Sequence, residues 1–247
     1  MPEQSGALSR LERTLRTHAA QLWASRAQAE REAGVRLHRL AERLRHVGAT
    51  DEVIELTLAA ARDEERHAEL CDELCARSGG RHGERAASVP EELAPAGLRE
   101  RERVLYDVVA LACLQETLSA TLLGAMVERA TEPRARAVLA AIQRDEARHS
   151  RFGWLHLSRA TGDESHDVIG MHLPFMLRRV LEESLLRPDA TENAELAHLG
   201  ALDARERERL CLATARRVVL TGLERHGVDT SAGERWLELR AALAARR

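Results

Sequence analysis

The chain has 247 residues, 44% of them hydrophobic and 31% charged, with a formal net charge of -3, which is the balance of a globular chain long enough to bury one sizeable core. Acids and bases are evenly matched, which argues against nucleic-acid binding. Every basic residue other than histidine is arginine, which excludes Schiff-base chemistry by lysine and is the composition expected of a GC-rich, bacterial genome.

Ala, Leu, Arg and Glu dominate, all good helix formers, while aromatic residues make up only 2% and prolines number six. An all-α protein with an aliphatic core follows. Residues 1–11 lack the apolar run of a signal peptide, and no run approaches membrane-spanning length, so the expectation is a cytoplasmic chain without membrane contact. Cys71, Cys75, Cys113 and Cys211 show no zinc-like spacing and read as reduced thiols.

In chain order, a first helix is predicted over residues 8–47, stopped by Gly48 as a C-cap. A second starts at Thr50 or Asp51 and ends at Ser78-Gly79-Gly80. Residues 79–97 carry Gly and Pro and read as a long crossover. A third helix spans about 98–130, a turn at Thr131-Glu132-Pro133 follows, and a fourth helix runs over about 134–160, with Pro133 suited to its first turn. Two antiparallel hairpins joined by a long connection make a four-helix bundle over residues 1–161. Residues 162–247 read as a helical extension packed on it, broken near Pro188 and Gly227.

The chemistry lies in an echo between the hairpins. The second helix carries Asp63-Glu64-Glu65-Arg66-His67 and the fourth carries Asp145-Glu146-Ala147-Arg148-His149, both D-E-x-R-H. Glu and His at i and i+3 share a helix face, and a carboxylate with an imidazole suits iron or manganese. One Glu-x-x-His in so acidic a chain is a common surface pair; two copies, each on the second helix of a hairpin, are not. The pattern demands one more glutamate at the same height on each first helix. The midpoint of residues 30 and 64 is residue 47, beside Gly48, and the midpoint of 116 and 146 is 131, in the turn. Glu30 and Glu116 therefore complete the set.

Helical faces support that choice. Glu30 shares its face with Trp23, Ala27, Ala33, Gly34 and Leu37, with Arg26 as the exception; its competitor Glu32 lies with Arg36, Arg39 and Arg43 and reads as solvated. Glu116 is flanked by Val109, Ala112, Cys113, Ala120 and Leu123, and Glu64 by Ala60, Ala61, Ala68 and Cys71. Carboxylates on such faces need a cation or a buried arginine bridge; Arg66 and Arg148 keep the second option open. Asp63 and Asp145 either reach the histidine of the facing hairpin and fix its tautomer or are exposed acidic residues, and Arg66 and Arg148 either bridge those aspartates or are solvated.

These residues resemble the ferritin-like di-iron carboxylate proteins, and within them the oxygen-activating branch. The resemblance covers about residues 20–160. It implies metal ligands at Glu30, Glu64, His67, Glu116, Glu146 and His149, with Glu64 and Glu146 as bridges, and reductive activation of O2 by two ferrous ions. The ligand set suits manganese, or a mixed manganese–iron pair, as well as iron. The ribonucleotide reductase small subunit has a radical tyrosine four residues after its first histidine ligand; here that position is Cys71, as in methane monooxygenase, so Cys71 is either a pocket residue or a core thiol. Tyr106 is ten residues before Glu116 and not evidently at the metals. The arylamine N-oxygenases add a histidine ligand where this chain has Ile142, which leaves six ligands. Ala112, Ala120 and Gly124 are candidate pocket walls, and His172 either covers a pocket or packs in the core.

The expected function is an oxygenase or oxidase acting on a small or carrier-tethered organic substrate by hydroxylation, N-oxygenation or desaturation. An external donor such as a ferredoxin would supply electrons, and a homodimer is open as the assembly. The alternative is a ferroxidase or iron-handling protein on the same scaffold.

Overall fold

A helix of 45 residues, α1 (Pro2–His46), opens the chain. It stops where Gly48 turns to φ 76°, with Ala49 N–H returning to the Leu44 carbonyl. The chain restarts at once as α2 (Asp51–Arg77), whose first turn carries Asp51 and Glu52 against the positive end of the helix dipole. Gly79, at φ 85°, ends it. The third helix, α3 (Glu100–Arg129), begins where the Arg99 N–H donates to the Glu102 carboxylate. The fourth, α4 (Pro133–Arg159), begins with Pro133 in its first turn and the Glu132 carboxylate accepting from the Ala135 N–H. The computed structural model describes residues 2–80, 93–160, 163–182 and 194–244, so most of the expected crossover and the expected break near Pro188 lie outside the described residues.

Helices make up 87% of the structure, with no strand among the described residues, and the bundle of two hairpins is the ferritin-like one. The first helix starts at Pro2 rather than near residue 8; the other bundle boundaries fall close to those expected from caps and breakers. One local departure matters. Residues Val109–Glu116 of α3 are wound as a π-helix, and Glu116 is its last residue. Such wide turns are rare and are frequently found at functional sites.

After the bundle come α5 (Asp163–Val180), with Pro174 inside it, a short 3-10 turn at Ala194–Leu199, α6 (residues 204–225, with a π turn at Ala215–Leu220) and α7 (Ser231–Ala244). Gly227, at φ 82°, turns the chain between α6 and α7. The extension is stitched to the α3–α4 turn, because the Thr131 and Glu132 N–H groups both donate to the His198 carbonyl at 3.0 Å. Helix α5 lies along α3, where His172 meets the fully buried Tyr106 edge-on at 6.4 Å between ring centres. By length and composition α3 is apolar enough to cross a membrane, which amends the expectation that no run reaches that length; most of it is buried inside the bundle.

The core is split into two apolar clusters. One contains Trp23, Ala27, Cys71, Leu114, Leu118, Leu139 and Ile142, and continues into the C-terminal helices. The other contains Leu37, Leu40, Ala60, Ala61, Leu111, Ala112 and Phe152. On each of the four bundle helices the glutamate of interest falls between these sets: Glu30 between Ala27 and Leu37, Glu64 between Ala61 and Cys71, Glu116 between Ala112 and Leu118, Glu146 between Ile142 and Phe152. The fold thus holds a charged layer between two hydrophobic ones.

Candidate metal centre

Glu30, Glu64, His67, Glu116, Glu146 and His149 are all buried, none more than 7% exposed. Their ligand atoms form two overlapping groups. Glu30, Glu64, His67 and Glu146 bring one atom each within 4.8 Å of one another, and so do Glu64, Glu116, Glu146 and His149. Glu64 and Glu146 belong to both groups. Close backbone approach makes the layer narrow. A Cβ on Gly34 would lie 3.4 Å from Glu64 Cβ, and one on Gly153 would lie 2.6 Å from Ala112 Cβ and 2.8 Å from Cys113 Sγ. Gly153 lets α4 press against the π segment that ends in Glu116.

The histidines are oriented from across the bundle. His67 Nε2 lies 3.1 Å from Asp145 Oδ2, and His149 Nε2 lies 3.2 Å from Asp63 Oδ2. An ionised carboxylate only accepts, so each Nε2 carries the hydrogen and each Nδ1 points inward. His67 Nδ1 is 3.3 Å from Glu64, and His149 Nδ1 is 3.0 Å from Glu64 and 3.4 Å from Glu146. The two rings stack at 5.9 Å. Arg66 spans the two aspartates, with Nη1 2.7 Å from Asp63 and Nη2 2.5 Å from Asp145, and Arg148 contacts the same pair from the other side. Of the two roles open to these arginines, the structure has them bridging, although both remain about half exposed.

Electrostatics in this layer are unbalanced. Burial pushes the Glu64 carboxyl well above its usual range, with the Glu146 charge adding to the effect. Burial, then the Glu116 charge, pushes Glu146 up to about 8. Burial alone would lower His149, but Glu116, Glu146 and Glu64 together raise it. Asp63 and Asp145 sit nearer the surface; burial there is outweighed by the histidines and Arg66, and both are lowered. Glu64 Oε1, Glu146 Oε2 and His149 Nδ1 are buried without a partner in hydrogen-bond geometry. They crowd one another instead, with His149 Nδ1 3.0 Å from Glu64 Oε1 and 3.4 Å from Glu146 Oε2, and all three face the same centre. That donor set of carboxylate oxygens and imidazole nitrogens fits divalent iron or manganese.

The remaining sequence candidates fall as follows. Glu32 is half-buried, accepts from Gln28 at 2.9 Å and belongs to neither group. Its supposed arginine-lined solvent face needs correction at Arg43, which reaches α3 and pairs with Glu100 and Asp107. Cys71 is fully buried and its thiol is raised by burial, then by the Glu30 charge. Ala120 is half-buried and Ala112 fully buried, the latter against Gly153 rather than open space. Ser119 was not anticipated: its hydroxyl donates to Glu146 Oε1 at 3.0 Å. The signal was available, since Ser119 is three residues after Glu116 and so on the same face. Arg26, noted only as an exception on the Glu30 face, pairs with Glu30 at 3.3 Å.

Fold and site together define a ferritin-like bundle with a candidate carboxylate–histidine metal site. The rubrerythrin family model matches residues 25–153, which is 129 of the 247 residues, and the chain belongs to that family. The family is di-iron and often redox-active. No curated protein and no solved structure matches the chain.

Proposed function

We propose that the chain is an O2-dependent di-iron enzyme, an oxygenase or oxidase that hydroxylates, N-oxygenates or desaturates a small or carrier-tethered organic substrate. The observation that carries this reading is the sharing of Glu64 and Glu146 between the two four-residue groups. It supports a site where Glu30 and His67 would hold one cation and Glu116 and His149 a second, with Glu64 and Glu146 within reach of both. Two ferrous ions bound there would supply the electrons that reduce dioxygen.

The protein's own residues prepare that chemistry. Asp145 and Asp63 hold the Nε2–H of His67 and His149 and leave each Nδ1 lone pair directed inward. The Ser119 hydroxyl occupies Glu146 Oε1 and leaves Oε2 to face the centre. The apolar clusters on either side exclude water, so charges in the layer act through a low dielectric. An external donor such as a ferredoxin would restore the electrons. The C-terminal helices, through the His172–Tyr106 contact, serve as a cover over α3.

A ferroxidase or iron-handling role uses the same six residues, and the family match, which stops at residue 153, suits it without calling on the extension. Anaerobic Fe(II) loading followed by metal analysis tests the shared premise. We expect two irons per chain in the wild type and loss of both in Glu64→Ala and in Glu146→Ala; wild-type protein that takes up no transition metal would sink the reading. Admitting labelled O2 then separates the alternatives. Label in an organic product supports the enzyme, whereas ferric iron accumulating in a large assembly supports iron handling.

A further inference from the structure

Among the described residues at the centre, one charge is left over. On the di-iron reading, four glutamates are balanced by two divalent cations. Asp63 and Asp145 are balanced by Arg66 and Arg148, and Arg31 by Asp72. Arg26 remains. It lies one turn before Glu30 on α1, with Nε 3.3 Å from Glu30 Oε1, and its Nη1 donates across the α1–α3 seam to Met126 Sδ at 3.5 Å. A thioether is a weak acceptor, and the Arg26 Nε is buried without a partner in hydrogen-bond geometry. The arginine side chain is still 20% exposed, so the guanidinium spans from solvent to the edge of the charged layer.

Once Glu30 turns its carboxylate to a cation, its hold on Arg26 weakens, because the cation repels the guanidinium it replaces. Five N–H donors in a fixed fork then lack a matched acceptor, and a carboxylate is the group whose two oxygens fit that fork. Met126 is an unbranched, adaptable side chain that can yield the space. The seam is apolar: Trp23, Ala27 and Cys71 are fully buried in the same apolar cluster as Met126, and Cys71 feels the charges of both Glu30 and Arg26.

We propose that Arg26 anchors the carboxylate of a small organic acid, which makes monocarboxylates the substrate class and the Arg26–Met126 seam the docking point. This rests on the di-iron reading, and it binds the two ligands together: metal frees Arg26, so metal and carboxylate strengthen one another's binding.

Calorimetric titration of hexanoate into Fe(II)-loaded protein under argon tests this, with hexanamide as the uncharged control and iron per chain counted in every sample. Expected is saturable hexanoate binding that weakens at least about tenfold in Arg26→Gln, the loss typical of a charge-assisted hydrogen bond. Arg26→Lys should recover part of the affinity, metal-free protein should bind more weakly than loaded protein, and hexanamide should bind poorly throughout. A chain that takes up no iron sinks the underlying reading together with the proposal. Iron-loaded wild type that does not distinguish hexanoate from hexanamide, or a loaded Arg26→Gln that binds hexanoate undiminished, overturns the proposal alone.

Discussion

In the first hairpin the position four residues before the α1 glutamate is Arg26, paired with Glu30; in the second the same position is Ala112, packed against the backbone of Gly153. Three residues after the glutamates stand Ala33 and Ser119, and only Ser119 donates into the centre. Four residues after the histidines stand Cys71 and Gly153. Helix α1 is regular throughout, whereas α3 reaches Glu116 through a π-helix. The outward-facing residues, by contrast, are symmetric: Asp63 and Asp145, Arg66 and Arg148, each aspartate on the other hairpin's histidine. A shared outer frame orients both histidines alike, and the differences lie on the inner faces of the two halves of the charged layer. The first half has an arginine at a solvent-reaching seam, paired with Glu30; the second is closed by tight packing.

The largest way to break that contrast is at the glycines. Gly153→Ala forces a methyl to within 2.6 Å of Ala112 Cβ and 3.1 Å of the Cys113 backbone nitrogen, and α4 and the π segment must separate. Overpacking of this kind costs about 1–3 kcal/mol. Gly34→Ala on α1 meets neighbours only at 3.4 Å, and the gain in helix propensity makes it neutral or stabilising by up to about 1 kcal/mol. Thermal unfolding of metal-free protein checks both, and equal melting temperatures for the two variants would contradict the asymmetric packing. Metal titration of Gly153→Ala should show the half with Glu116 and His149 weakened more than the half with Glu30 and His67.

Without metal, the charged layer should also set the pH dependence of stability. Glu146 is raised to about 8 and Glu64 is raised as well, so the folded state keeps protons that the unfolded chain has released. Stability from these groups is fully present below the ordinary carboxylate range and is lost as pH climbs toward 8. Asp63 and Asp145 are lowered and act oppositely, costing stability only as pH falls below that range. Metal-free protein should therefore melt at a lower temperature at pH 8 than at pH 5. Loading with Fe(II) should reverse the trend, because ligands must be deprotonated to bind. A melting temperature of the metal-free protein that is flat or rising from pH 5 to pH 8 would contradict the buried-carboxylate account.

The aspartates test whether the outer frame is as symmetric as it looks. Asp145→Ala removes the acceptor from His67, and Asp63→Ala removes it from His149. Losing such an orienting partner typically costs about 10–100-fold in metal affinity. The effect should cross the bundle: a change on α4 weakens the cation held with Glu30, and a change on α2 weakens the one held with Glu116. Loss confined to the half on the same hairpin as the substitution would mean that the aspartates act through their own helices.

How much of this was legible beforehand depended on whether the cause was local. The hairpins were readable from Gly48, Thr50 and Pro133, because caps and breakers act within a turn. The six inward residues were readable from helical period and from equidistance about each turn, which antiparallel pairing imposes. The crossed aspartates followed from the need of a histidine for an orienting acceptor. The π segment at Val109–Glu116 was not legible, since winding depends on how α4 packs against it at Gly153, and no residue type in the segment announces it. The partners of Arg43, used on its own helix only to place Glu32 on a solvated face, are Glu100 and Asp107 on α3, which only tertiary packing supplies.

The smallest effect should come from the arginines that close the outer frame. Arg66 is 49% exposed and Arg148 61%, so water and salt screen both, and exposed pairs of this kind contribute about 0.2–1 kcal/mol. Their contacts are nevertheless unequal. Arg66 touches both aspartates at 2.7 and 2.5 Å, whereas Arg148 is close to Asp145 and 3.5 Å from Asp63. Arg66→Gln should therefore lower stability and metal affinity slightly more than Arg148→Gln, both deficits should shrink at high salt, and neither should approach the aspartate variants. An Arg66→Gln protein as defective in metal binding as Asp145→Ala would assign the orientation of His67 to the arginine–aspartate pair as a unit rather than to the carboxylate alone.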